Sequence, residues 1–351
     1  MAALRRDTVR ATRPRAHVRK AWAAFVCLSL WSFGLPLLGA ASSDTYAKTR
    51  YPIVLVPGAF AFDNILGLVD YWYGIPEALR EQGAEVYVTN VSSAASNVKR
   101  GEELLGDVRR ILALTGARKV NIIAHSQGGT AARYVASLKP EWIESVNCVM
   151  CLNEGTAFAD RFAAYLQGRG LLRRILNYTI SFMLSTVEIF SVGPHNGEYN
   201  SPYRGLQVAE DLLTAVGKKS LATFNRQFPE ALSHLSCREQ SDGGEYRGVG
   251  GDPVVNGVSY YSWGGTSVVT NHLDPIDSVV VPFVEFFYDD NHPVWDGLNP
   301  GCAHPLGRLS EGFYPINHFD AINQAFGLIG GGIHIPTLYA LNANRLRRDG
   351  H

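Results

Sequence analysis

The sequence has no surplus of charge: 32 basic residues face 32 acidic ones over 351 positions. A nucleic-acid-binding chain carries a basic excess gathered on one face, and none is visible here. The balance is uneven along the chain. Seven of the basic residues, but only Asp7 of the acidic ones, lie in residues 1–42, which leaves 25 basic against 31 acidic in the remainder. Internal repeats and a linker are also missing, so residues 43–351 are expected to form a single domain. Cysteine is scarce, at five residues, while 46% of the chain is hydrophobic. That composition points to one large core.

The charged start reads as a processing signal. Arg5 to Lys20 forms a positive region, Ala21 to Leu38 an apolar one, and Gly39-Ala40-Ala41-Ser42-Ser43 supplies small residues. This is the pattern of a secretory signal peptide cut near Ala41, the alternative being an uncleaved anchor. The mature chain is therefore expected outside the cell, where disulfides persist. Four cysteines remain. Cys148 and Cys151 fall in a core-strand pattern and read as buried thiols pointing to opposite faces. Cys237 and Cys302 lie in loop-like sequence and are the expected bridge, worth roughly 4 kcal/mol in the chain-entropy model.

Apolar runs and helical spacing then alternate. Strands are expected at 51–56, 85–89, 120–123, 146–152 and 258–263, with helices at 71–82, 101–115 and 130–138. The end of the chain, 321–348, reads as helix and loop with a glycine hinge at 330–332. Such alternation predicts an α/β fold with a mainly parallel sheet covered on both faces. Residues 171–192 break the rhythm. They are too polar to span a membrane and too apolar for a solvated loop, and are expected to form a helical lid or else a core helix.

Ala124-His125-Ser126-Gln127-Gly128 lies between an apolar strand and a helix. That context is the one a nucleophile elbow requires, with Ala124 in place of the usual first glycine. Ser126 is the candidate nucleophile. The bland alternative is an ordinary strand-to-helix turn.

Further segments carry a family resemblance. They include Thr49-Arg50-Tyr51-Pro52-Ile53-Val54-Leu55-Val56, Asp70-Tyr71-Trp72-Tyr73-Gly74-Ile75, Tyr260-Tyr261-Ser262-Trp263, Thr270-Asn271-His272-Leu273-Asp274 and Asn317-His318-Phe319-Asp320. With the Ser126 pentapeptide, these resemble the secreted bacterial true lipases of family I, α/β-hydrolases that bind calcium and need a membrane foldase. The resemblance runs over residues 46–348. It implies Ser126, Asp296 and His318 as nucleophile, acid and base, in the chain order of α/β-hydrolases. Asp289 and Asp290 are the reserve acids, and His292, His304 and His334 the competing histidines. His125 has the wrong reach for the base.

The resemblance also implies an oxyanion hole from the backbone N–H groups of Ala59 and Gln127. It implies one calcium ion held by Asp274 and Asp320 with the carbonyls of Gln324 and Leu328, hard oxygen ligands as Ca²⁺ requires. Two departures stand out: Pro57-Gly58-Ala59 replaces a His-Gly pair and a bulky residue, and Leu152-Asn153-Glu154 replaces a Pro-His pair. The function implied is hydrolysis of acylglycerol esters at an oil–water interface by a monomer, possible foldase assistance included. A short-chain esterase or polyester depolymerase is the nearer alternative, and a non-catalytic hydrolase-like binding protein the more distant one.

Overall fold

The computed structural model describes residues 45–59, 64–65, 69–166, 170–171, 174–175, 209–240, 248–274, 276–277, 295–324 and 326–351. The expected signal at 1–42, most of the expected lid at 171–192, the reserve acids Asp289 and Asp290, and His292 lie outside these residues.

In chain order the elements are β1 (Ile53–Val56), β2 (Asn64–Ile65), β3 (Val69–Asp70), α1 (Ile75–Glu81), β4 (Val86–Val88), α2 (Asn97–Thr115), β5 (Val120–His125), α3 (Gly128–Leu138) and β6 (Ile143–Val149). After them come α4 (Ala157–Leu166), α5 (Ala209–Val216), α6 (Lys218–Gln227), α7 (Cys237–Gln240), β7 (Val254–Val255), β8 (Val258–Gly265), β9 (Arg308–Tyr314) and α8 (Ile335–Asp349). The main sheet runs β4-β1-β5-β6-β8, with β7 and β9 both pairing β8. Every pairing in it is parallel except β7 with β8. β2 and β3 form a separate two-stranded ribbon.

The alternation within β1 shows how the sheet is covered. Val54 and Val56 point to one face, where they join Leu104, Val108 and Ile111 of α2 and Val135 of α3. Ile53 and Leu55 point to the other, where they join Ile75 and Leu79 of α1 and Tyr339 and Ala343 of α8. A parallel sheet buried on both faces is the result. The chain leaves β1 for β4 on one side and then crosses to β5 on the other. That reversal opens a crevice at the carboxyl ends of β1 and β5, where open α/β sheets hold their ligands.

Two expectations need correction. The helix expected from Tyr71 begins only at Ile75, because Gly74 adopts a left-handed φ of 68° and Pro76 fits only the first turn of a helix. Outside the helix, Tyr71 places its hydroxyl against Gly58 and His125 at the ends of β1 and β5. The reading of Cys148 and Cys151 as free thiols on opposite faces is also wrong: they form a disulfide, with Cα atoms 5.3 Å apart. β6 ends at Val149, and Met150 takes a left-handed φ of 45°, so the chain turns before Cys151 instead of continuing as a strand.

Candidate active site

β5 delivers its last residue, His125, to the crevice, and Ser126 follows with a left-handed φ of 54°. A non-glycine residue in that region carries strain, which persists only where its surroundings hold it. Here the Ser126 N–H donates to Val149 O at 3.1 Å, and Ser126 O accepts from Leu152 N at 3.3 Å. Space decides the neighbouring residue types. A methyl group on Gly128 would stand 2.5 Å from Val56 O, and one on Gly58 would stand 2.6 Å from Ser126 Cβ. Both positions must be glycine for the first strand, its loop and the elbow to pack.

His318 reaches this serine from the far end of the sequence. Its Nε2 lies 2.9 Å from Ser126 Oγ, and its Nδ1 lies 2.7 Å from Asp296 Oδ2. Ser126, His318 and Asp296 are all buried. Asp296 Oδ1 accepts the backbone N–H groups of Leu298 and Asn299 at 2.9 and 2.7 Å. His318 N–H donates to Asp296 O, so the two loops are also tied through the backbone. Burial alone would raise the Asp296 carboxyl, but the nearby His318 and His304 hold it well below the usual carboxylate range. An anionic Asp296 fixes a proton on His318 Nδ1 and leaves Nε2 to accept from Ser126. That arrangement can activate a hydroxyl for attack on an ester carbonyl.

The loop after β1 lies beside the elbow. Ala59 is half-buried against Ala94 and Leu212. Among the described residues, neither the Ala59 nor the Gln127 N–H is engaged in a hydrogen bond. Arg100, buried in α2, donates to Pro57 O and Gly58 O at 2.6 and 2.9 Å and also to Ser92 O. Desolvation lowers its guanidinium to about 10, which leaves it charged at neutral pH. The Gly58 N–H donates to Tyr71 Oη at 2.8 Å, and the same hydroxyl meets His125 Nδ1 at 2.7 Å. His125 Nε2 in turn lies 3.1 Å from His318 O. Tyr71 and His125 thus link the loop after β1 to the loop that carries His318. Burial, then the nearby His318, hold His125 well below its ordinary value, so it is neutral.

Arg100 and the Tyr71–His125 link were not singled out in sequence. An arginine on a helix reads as solvated, and Tyr71 reads as part of one. The available signal for Tyr71 was its place between Asp70 and the Gly74-Ile75-Pro76 helix start. Of the competing histidines, His304 meets Asp296 from a second position, and His334 is exposed beside Thr337.

A third cluster lies on the His318 loop. Asp274, Asp277 and Asp320 are buried and offer oxygens within 4.8 Å of one another. Asp277 was not expected. Its Oδ2 accepts from the N–H groups of Thr270 and Asn271, and its Oδ1 accepts from Asn317 Nδ2. Asp320 Oδ2 accepts from Asn317 N, while its Oδ1 has no hydrogen-bond partner among the described residues. Burial, with Asp277 and Asp274 beside it, pushes the Asp320 carboxyl up to about 7. Three buried carboxylates with an orphaned oxygen fit a hard cation. Gln324 is buried and its amide donates to Tyr71 O, whereas Leu328 is exposed. The expected bridge between Cys237 and Cys302 is present, with Cα atoms 5.0 Å apart.

Residues 51–186 match the alpha/beta hydrolase fold family. A triacylglycerol lipase of Vibrio cholerae is 37% identical over 89% of this chain and 92% of its own. One of Burkholderia plantarii is 33% identical over 97% of this chain and 99% of its own. A Bacillus licheniformis lipase structure superposes with a TM-score of 0.52 at 17% identity, covering 86% of this chain and 50% of that one, which supports the fold. The chain belongs to the bacterial triacylglycerol lipases of the α/β-hydrolase superfamily.

Proposed function

We propose that this protein hydrolyses acylglycerol esters through Ser126, His318 and Asp296. The observation that carries the reading is the chain of two contacts from Ser126 Oγ to His318 and from His318 to Asp296, at 2.9 and 2.7 Å. Ser126 Oγ attacks the ester carbonyl carbon as its proton passes to His318 Nε2. The carbonyl oxygen becomes an oxyanion that accepts from the Ala59 and Gln127 N–H groups. Collapse breaks the bond to the alkoxy oxygen, which takes the proton from His318 and leaves as an alcohol. Water then attacks the acyl-enzyme, its proton again passing to His318. The second collapse returns that proton to Ser126 and frees the fatty acid. Asp296 keeps His318 in the productive tautomer and stabilises the imidazolium while it lasts.

Calcium is the cation this reading assigns to Asp274 and Asp320, with the carbonyls of Gln324 and Leu328. Asp277 is already engaged by Thr270, Asn271 and Asn317, so it shapes the turn. The ion would neutralise the cluster and brace the loop two residues beyond His318. Residues 1–42 would direct export and be removed. Among the described residues, no helix is long and apolar enough to cross a membrane.

A lid over 171–192 is part of the same reading. Leu171 and Ile175, four residues apart, are 76% and 52% exposed, apolar surface suited to a lipid boundary. The deciding experiment is acid release from tributyrin, followed by pH-stat across the solubility limit, with Ser126→Ala beside the wild type. A jump in rate above the limit, absent in the variant, supports an interfacial lipase. A rate that saturates below the limit supports a short-chain esterase. Equal rates for variant and wild type would remove Ser126 from the chemistry.

A further inference from the structure

His304 lies between α7's disulfide partner Cys302 and strand β9. It is wholly buried, yet Nδ1 has no partner among the described residues. Its Nε2 lies 3.0 Å from Asp296 Oδ2, the same oxygen that meets His318, although outside good hydrogen-bond alignment. A buried ring with unsatisfied nitrogens costs stability that an apolar side chain of similar size would not. What histidine offers here is an N–H beside an anionic carboxylate.

The surroundings aim it there. The ring stacks on Phe313 of β9, with centroids 6.1 Å apart and planes at 29°. Asn153 holds the backbone on the other side: its N–H donates to Ala303 O and its side-chain amide to His304 O, both at 3.1 Å. The disulfide from Cys237 to Cys302 closes the same segment. Asn153 lies in the Leu152-Asn153-Glu154 segment that stands where the resemblance leads one to expect a Pro-His pair, and these bonds are among its contacts there.

We propose that His304 is a positioning residue for ester hydrolysis: a second histidine that donates its Nε2–H to Asp296 Oδ2 and holds the carboxylate in register with His318. Asp296 Oδ1 is filled by two backbone donors, so Oδ2 has one lone pair for each histidine. His304 acts through Asp296, its one charged neighbour among the contacts described. Catalytic contacts that are poorly aligned in the free enzyme tighten as the imidazolium forms, and this one would do so with them. The inference rests on the triad reading above.

The test uses the mature chain on p-nitrophenyl butyrate, with active sites counted by fluorophosphonate labelling. His304→Phe fills the place beside Phe313 without a donor. It should lower kcat roughly ten-fold, the size of one charge-assisted contact, with KM within about two-fold. His304→Gln retains an N–H and should recover most of the loss. The low-field proton of the His318–Asp296 hydrogen bond should shift in His304→Phe and return in His304→Gln. Wild-type kcat in His304→Phe, or equal losses in both variants, would overturn the proposal. Should His304→Phe not fold, ¹⁵N-histidine spectra of the wild type decide the matter. A protonated Nε2 on His304 supports the proposal, and a bare Nε2 ends it. Ser126→Ala separates the two failures: activity surviving there removes the triad and the proposal together. An inactive Ser126→Ala beside a fully active His304→Phe removes the proposal alone.

Discussion

A single hydroxyl, that of Tyr71, accepts the Gly58 N–H and faces His125 Nδ1 within a buried site. Tyr71→Phe keeps the ring and removes both contacts. It leaves a buried backbone donor without an acceptor, so a stability loss of about 1–3 kcal/mol is expected in urea titration. Activity should fall with it, because the same bond fixes the loop that presents Ala59. His125 supplies a pH dependence. Its folded-state value is depressed, so near pH 6 the unfolded chain binds a proton that the native state refuses. Stability should therefore be lost as pH falls below about 6.5, the unfolded value. His125→Asn, measured by thermal melts between pH 5 and 8, should flatten that slope. Ser126 was legible because strand, small residues and helix spell an elbow locally. Arg100 was not, because nothing local distinguishes a solvated arginine from one that caps the carbonyls of a distant loop.

The two disulfides are elements of unequal consequence. The bridge from Cys237 to Cys302 spans 65 positions, and that from Cys148 to Cys151 spans three. In the chain-entropy model the first is worth about 4 kcal/mol and the second about 2. Cys237→Ala/Cys302→Ala should consequently lower the melting temperature more than Cys148→Ala/Cys151→Ala, as calorimetry would show. The long bridge could be read from loop composition, since both partners sit in irregular sequence. The short one could not: period-two alternation puts Cys148 and Cys151 on opposite faces, and only the backbone reversal at Met150 brings them together. Helix boundaries failed for a similar reason. α2 begins at Asn97, four residues before the expected start, because the Ser96 hydroxyl accepts from the Lys99 N–H and caps the helix there.

At the scale of the molecule the parallel sheet, its two covered faces and its crevice were legible, because strand and helix periods alternate cleanly. The aspartate cluster was legible only in part. Asp274 and Asp320 follow from the resemblance, whereas Asp277 joins them through folding of the loop. Treatment with a calcium chelator should lower thermal stability and activity together, and added Ca²⁺ should restore both. An unchanged melting temperature in chelator would dismiss the calcium assignment.

The contact between Ser126 and His318 joins positions 192 residues apart. Helix α8 and the residues after it are tied to the segment before β1, where Asn344 donates to Tyr46 O and Arg50 N–H donates to His351 O. On the proposed triad, a chain interrupted between positions 126 and 318 would carry the serine without its general base. On that reading, hydrolysis would be absent from the growing chain until both halves of the contact had been made and brought together.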